Sequence, residues 1–233
     1  MNHATRPLII AFASPKGGVG KSTSCLNIAA ALCAHGYPVH VIDLDQTQSL
    51  YRWFSTRNPE VPGLTVESVP EAGFIPALKA ATNDRTGFIL IDVAGALGQA
   101  MIQAATIADL TITPTKLSEL DLQEANKLHA KILDIADQVG TTINHRILIN
   151  EVASILPGYQ LHALEQIAQG TLPRFDTLIR NRAPYAESFM TGQPPHFANR
   201  ERPPVRKAVE EIDLLLVEVF ASLGIQQEQK AAA

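Results

Sequence analysis

Six residues of this chain have the types and spacing to bind a phosphate chain and act on it: Lys16, Lys21, Ser22 and the carboxylates Asp43, Asp45 and Asp92. The stretch Lys16-Gly17-Gly18-Val19-Gly20-Lys21-Ser22-Thr23 is the densest of these signals. Its three glycines let backbone N–H groups curl around an anion without a Cβ in the way, and a helix starting here adds unsatisfied N–H groups and a positive dipole end. In such a cradle Lys21 reaches the terminal phosphates of a nucleotide and the Ser22 hydroxyl takes a place on Mg²⁺. A plain glycine-rich connector would have no use for two lysines in register with a Ser-Thr pair.

These groups need strands and helices to hold them. Leu8 to Phe12 is an apolar run that reads as a strand feeding the cradle, and Ser22 to His35 carries the spacing of a helix, with Gly36 placed for a left-handed cap. Val39 to Ile42 is a second strand, ending in Asp43-Leu44-Asp45, and Phe88 to Ile91 another, ending in Asp92. Uninterrupted apolar runs are typical of parallel strands buried on both faces, and ligands of such sheets gather at the carboxyl edge. The three carboxylates therefore open toward the cradle, where Asp92 holds Mg²⁺ directly or through water. Aspartates at strand ends also serve simple turns.

The other elements carry less chemistry. Helices are expected over 47–57, 74–81, about 98–107, 120–139 and 159–168, strands over 64–66, 110–113 and 146–149, and a loop over 114–119. A last helix starts at Pro203-Pro204 and carries an apolar stripe from Val205 to Leu223. Asn150 ends the strand at 146–149, where an amide could pair with an adenine base or make a turn. The whole, 1–233, reads as a single doubly wound, mainly parallel α/β domain with helices on both faces, no separate domain ahead of the first strand, and a short disordered tail at about 225–233.

Composition narrows the class. Apolar residues make up 46% and charged residues 18%, an ordinary globular balance. No run approaches the roughly 18 apolar residues that span a bilayer, and no signal core is evident, so a cytoplasmic protein is expected. Cys25 and Cys33 fall on one helix and suit core packing, and the seven histidines lack ligand spacing along the chain, so Mg²⁺ with nucleotide is the one metal expected. Net charge is −4, but between Arg174 and Lys207 seven basic residues face three acidic ones, a local +4 against −8 for the rest. That polarity marks Arg200, Arg202, Arg206 and Lys207 as a candidate polyanion surface. The competing reading pairs Arg206 with Glu210 and Lys207 with Glu211 on a solvated helix face.

The usual phosphate-loop pattern has a glycine where this chain has Pro15, and it lacks the lysine at Lys16. The segment instead resembles the deviant Walker A motif of the ParA/MinD family of ATPases. With Asp43, Asp45, Asp92 and the stretch Leu178 to Glu187 in the family's order, the resemblance covers nearly the whole chain. It is nearest to short, ParF-like plasmid partition proteins and to VirC1-like proteins of DNA conjugation. The resemblance implies ATP and Mg²⁺ as cofactors, an ATP-dependent homodimer in which Lys16 reaches the partner's phosphates, and water positioning by Asp45. It implies Mg²⁺ at Ser22, Asp43 and Asp92, and Arg182 and Pro184 beside the base. It also implies non-specific DNA binding, nucleoid association in the ATP state and a ParB-like cargo adaptor that stimulates weak hydrolysis. Two turns depart from the family: Asp45-Gln46-Thr47 and Asp92-Val93-Ala94-Gly95. A MinD-like membrane role is disfavoured by Glu210, Glu211, Asp213 and Glu218 on the last helix. Conjugative DNA transfer, positioning of a protein cargo and a small-molecule synthetase are the alternatives.

Overall fold

The computed structural model describes residues 6–84, 87–95 and 98–225. In chain order the elements are β1 (Leu8–Phe12), α1 (Lys21–Ala34), β2 (Val39–Asp43), α2 (Ser49–Arg57), β3 (Leu64–Ser68), α3 (Phe74–Asp84), β4 (Phe88–Asp92), α4 (Gln99–Ile107), β5 (Leu110–Lys116), α5 (Glu119–Val139), β6 (His145–Asn150), α6 (Gly158–Gln169), α7 (Ala183–Thr191) and α8 (Pro203–Ser222), with short 3-10 turns at Glu71–Gly73 and Pro195–Phe197. The six strands form one parallel sheet in the order β3-β2-β4-β1-β5-β6.

Alternation along the strands explains the two helical layers. Ile10 and Phe12 of β1 pack with α1, α2 and α8 on one face, whereas Ile9 and Ala11 pack with α3, α4 and α5 on the other. Cys25 and Cys33 are buried thiols in the first of these clusters, as core residues should be. A third cluster joins β6 to α5 and α6. Strands enclosed on both faces have no polar side to present, which is why their sequences read as continuous apolar runs.

Three boundaries differ from the sequence reading for physical reasons. β5 continues through Pro114 to Lys116 rather than ending at Thr113. Pro114 lies past Phe12↔Ile112, the last pair that β1 and β5 share, so its missing N–H costs no ladder bond on that side. Second, residues 173–181 run along the outer edge of β6, where Phe175 N donates to Ile147 O and Ile179 N to Ile149 O. Only isolated bridges result, Ile147↔Arg174 and Val152↔Arg180, so no strand-like periodicity announces them. Third, Ile225 is held by its N–H to Phe220 O and packs on the first core cluster, while residues 226–233 of the expected tail lie outside the described residues.

The register positions the site. Phe12, the last residue before the glycine-rich turn, lies opposite Asp92, and Asp92 lies opposite Asp43, so two strand-end carboxylates and the start of the turn stand in one row.

Candidate functional site

The turn after β1 is shaped by its glycines. Gly18 and Gly20 have φ of 71° and 91°, a left-handed region that L side chains rarely adopt. Gly20 is required twice over, because a Cβ there would sit 2.1 Å from Asn150 Nδ2. The turn hands directly into α1 at Lys21, one residue earlier than expected, with Gly20 as its N-cap and no side chain capping the first N–H groups. Those donors, near Gly20, Lys21, Ser22 and Thr23, are available to an anion.

Lys21 is buried and its ammonium donates to Lys16 O at 3.1 Å. Burial lowers its pKa, while Asp92 and Asp45 work in the opposite direction. Asp92 is fully buried, and among the described residues neither carboxylate oxygen has a hydrogen-bond partner of good geometry. Burial pushes the Asp92 carboxyl up to about 7, against the lowering influence of the Ser22 hydroxyl and of Lys21, with Asp43 and Asp45 raising it further. An orphaned carboxylate beside a serine hydroxyl at the base of a phosphate cradle fits a divalent cation, whose charge would remove that penalty.

Asp43 has backbone partners. Its Oδ2 accepts from Leu50 N at 2.9 Å and Tyr51 N at 3.0 Å, and its Oδ1 from Asp45 N at 3.1 Å. It therefore caps the first turn of α2 from a distance, at the strand end opposite Asp92. The Asp45 Oδ1 accepts from both the N–H and the hydroxyl of Thr47 at 2.8 Å. One of the departures from the family turn thus supplies a polar partner to Asp45. The other, Gly95, lies so close over the cradle that a Cβ would come within 3.2 Å of Lys21 Nζ and 3.4 Å of Gly17 N.

Lys16 does not project freely. Its ammonium pairs with Asp121 at the start of α5, and Asp121 in turn accepts from the Ser118 hydroxyl at 2.6 Å. Asp121 was not among the sequence candidates, although Ser118-Glu119-Leu120-Asp121 has the spacing of a helix-capping box, and Ser118 does accept from Asp121 N.

The expected base contacts also have other partners. Asn150 is buried, with Nδ2 donating to Val19 O at 3.1 Å and Oδ1 accepting from Glu151 N at 2.9 Å, so the amide braces the cradle. Arg182 forms a half-hidden ion pair with Glu211 of α8, which also accepts from Arg180 N and the Tyr185 hydroxyl. Pro184 is buried in the first turn of α7. In the basic segment, Arg202 pairs with Glu187 at 2.9 Å and Arg200 donates weakly to His196 O at 3.4 Å. Arg206 and Lys207 are exposed and make no ion pair among the described residues. Glu211, the expected partner of Lys207, belongs to Arg182 instead.

Comparison with known proteins places this geometry among relatives. The family model described as VirC1 protein matches residues 8–194. Protein ParA of Rhizobium radiobacter is 20% identical over 216 residues, covering 92% of this chain and 97% of the relative. The maintenance of carboxysome distribution protein A of Gloeobacter kilaueensis is 27% identical over 188 residues, covering 80% of this chain and 82% of the relative. Among solved structures, a protein of Borrelia burgdorferi B31 assigned to plasmid partition and bound to AMPPNP superposes with a TM-score of 0.68 at 19% identity, covering 91% of this chain and 99% of that one.

Proposed function

The chain belongs to the VirC1 protein family, and from that membership and the cradle's geometry we propose that it is a Mg²⁺-dependent ATP hydrolase that positions a DNA cargo. The observation that carries the reading is Asp92, buried beside Ser22 and Lys21 at the glycine-lined turn with neither oxygen in a hydrogen bond of good geometry among the described residues. ATP with Mg²⁺ supplies the scissile phosphoanhydride and neutralises charge as it develops.

The protein's own groups do the rest. Backbone N–H groups from Gly17 to Thr23 hold the phosphates, and Lys21 carries positive charge to the terminal ones. Ser22 and Asp92 hold the cation, while Asp43 keeps α2 and the Asp45 loop in place through its three backbone bonds. Asp45 orients the attacking water, with Thr47 fixing one of its oxygens. Asn150 fixes the turn through Val19, and Arg182 and Pro184 bound the base. Lys16 leaves Asp121 and crosses to the partner's phosphates when two ATP-loaded subunits close face to face. The dimer then presents Arg200, Arg202, Arg206 and Lys207 twice to DNA of any sequence, and a separate ParB-like adaptor stimulates hydrolysis.

The family match favours one second reading: a VirC1-like role in conjugative DNA transfer, with the same chemistry and a different cargo. The test of the shared chemistry is phosphate release. Wild type should hydrolyse ATP with Mg²⁺, Lys21→Ala should not, and Asp45→Ala should bind ATP but turn over roughly 10²-fold more slowly, because water orientation acts in the transition state. Wild-type turnover by Lys21→Ala would sink the proposal, and a failure of Asp45→Ala to bind nucleotide would remove Asp45 from the water-positioning role.

A further inference from the structure

Away from the cradle, three residues distant in sequence converge on one point. His35 caps the C-terminus of α1, His196 lies in the 3-10 turn Pro195–Phe197, and Asp213 lies on α8. The histidines lack ligand spacing along the chain, but the fold supplies it in space. His35 Nε2 and His196 Nε2 each lie 3.0 Å from the same oxygen, Asp213 Oδ1. The candidate ligand atoms of all three residues lie within 4.8 Å of one another.

We propose that His35, His196 and Asp213 form a binding site for a divalent transition metal of the zinc class, separate from the nucleotide's Mg²⁺. Ligand atoms ~2.0–2.1 Å from a tetrahedral Zn²⁺ stand about 3.3 Å from each other, so the two nitrogen-to-oxygen distances of 3.0 Å already approximate two edges of that tetrahedron. Two imidazoles with one carboxylate select Zn²⁺, Co²⁺ or Ni²⁺ over Mg²⁺, which prefers oxygen and keeps its waters. The His196 side chain is 2% exposed, while those of His35 and Asp213 are 51% and 40% exposed. One ligand is thus locked in the interior, and the other two leave the ion an open side for water. The negative end of the α1 dipole at His35 adds attraction for a cation.

Two features set the affinity. Among the described residues the site has three protein ligands rather than four, and His196 Nδ1 is buried with no partner to orient the ring from behind. Missing outer partners typically cost 10–100-fold in metal affinity, so binding on the order of micromolar is expected rather than the far tighter binding of closed structural zinc sites. A bound ion would join the C-terminus of α1, whose other end is the cradle, to the turn before Arg200 and to α8, which carries Arg206 and Lys207.

The experiment uses the full chain, stripped with chelator and without nucleotide. It is titrated with Co²⁺, read by visible absorption of the tetrahedral ion, and then with Zn²⁺ in competition, with melting temperature recorded under Zn²⁺ or Mg²⁺. Wild type should take up one Co²⁺ per chain, displaced by Zn²⁺, and at a hundredfold excess over Kd its Tm should rise by roughly 5–10 °C. Mg²⁺ should do neither. His35→Gln changes an exposed side chain and should fold normally, yet it and Asp213→Asn should each weaken binding at least tenfold. His162→Gln, on the surface of α6, should bind like wild type. No tetrahedral Co²⁺ signal in wild type, or undiminished binding in His35→Gln and Asp213→Asn, would overturn the site.

Discussion

Asp92 sits buried where its ionised form costs free energy. Its carboxyl is raised to about 7 by burial, so the folded state holds this proton more tightly than the unfolded chain does. The sign follows: the penalty is absent below the unfolded value near 3.8, grows as pH rises, and is complete above about 7. Nucleotide-free Asp92→Asn should therefore be more stable than wild type at pH 8, by roughly 1–3 kcal/mol, with the gap closing toward pH 4. Thermal melts across pH check this, and the same melts with Mg²⁺ and an ATP analogue should show stabilisation of wild type that Asp92→Asn lacks. Lys16 is held at the same scale. Its side chain is 47% exposed, so the pair with Asp121 is screened and worth about 0.5–1 kcal/mol. Two such pairs open in each dimer, so Asp121→Asn should raise the ATP-dependent dimer constant by roughly fivefold to thirtyfold, and Lys16→Ala should lose the dimer while monomer nucleotide binding persists. Sedimentation with an ATP analogue measures both, and equal dimer fractions in wild type and Lys16→Ala would rule out the crossing role.

At the scale of elements, strands and helices are joined by buried polar contacts that titrate. His145 of β6 accepts or donates at 2.8 Å to Thr113 of β5 and at 2.9 Å to His129 of α5. Burial drives its pKa down to about 3, with His129 and Arg146 lowering it further, and burial lowers His129 as well. Here the unfolded chain binds protons that the folded one refuses. Stability is complete above the ordinary histidine value of 6.5 and is lost as pH falls from there toward 3, by up to about 1.4 kcal/mol per pH unit for one proton. The Tm difference between wild type and His145→Gln should thus narrow steadily from pH 7 to pH 4; parallel curves would show that His145 takes up its proton equally in the folded and unfolded states. A second join, Glu211 of α8 to Arg182, Arg180 N and Tyr185, explains why α8 carries an acid among its core-facing residues. Such an acid is retained only because every partner is in place.

The whole molecule is acidic, with net charge −4, yet the segment from Arg174 to Lys207 carries a local +4 against −8 for the rest. The alternative of solvated i,i+4 pairs fails for Lys207, because Glu211 is taken by Arg182, and Arg206 has no ion pair among the described residues. Arg202 is held by Glu187, so Arg200, Arg206 and Lys207 should dominate binding to a polyanion. Dimerisation would join two such patches and raise apparent affinity with no change in either patch. Binding to unrelated duplexes over a salt series should therefore be strong with ATP and weak with ADP. Changing Arg200, Arg202, Arg206 and Lys207 to Ala together should reduce the salt slope by about 0.9 for each phosphate that is no longer neutralised. An unchanged slope in that variant would remove this surface from the mechanism.

Local chemistry was legible in the amino-acid sequence by itself. The glycine-rich turn, the order of the elements apart from α7, the parallel sheet and the placing of Asp43, Asp45 and Asp92 at strand ends follow from apolar runs and turn residues, whose causes lie within a few positions of each other. Most element bounds agree within three residues. The choice of partner for each polar group belongs to the tertiary structure. Strand order sets β5 beside β1 and so brings Asp121 to Lys16 across 105 positions of sequence. The row of β2 and β4 ends leaves Asp43 to cap α2 and Asp92 to stay open. The packing of β6 turns Asn150 onto Val19 instead of outward, and α8 brings Glu211 to Arg182 and Asp213 to two histidines. A hydrogen bond depends on angstrom-scale approach between distant segments, and nothing in the local pattern of either segment records that approach.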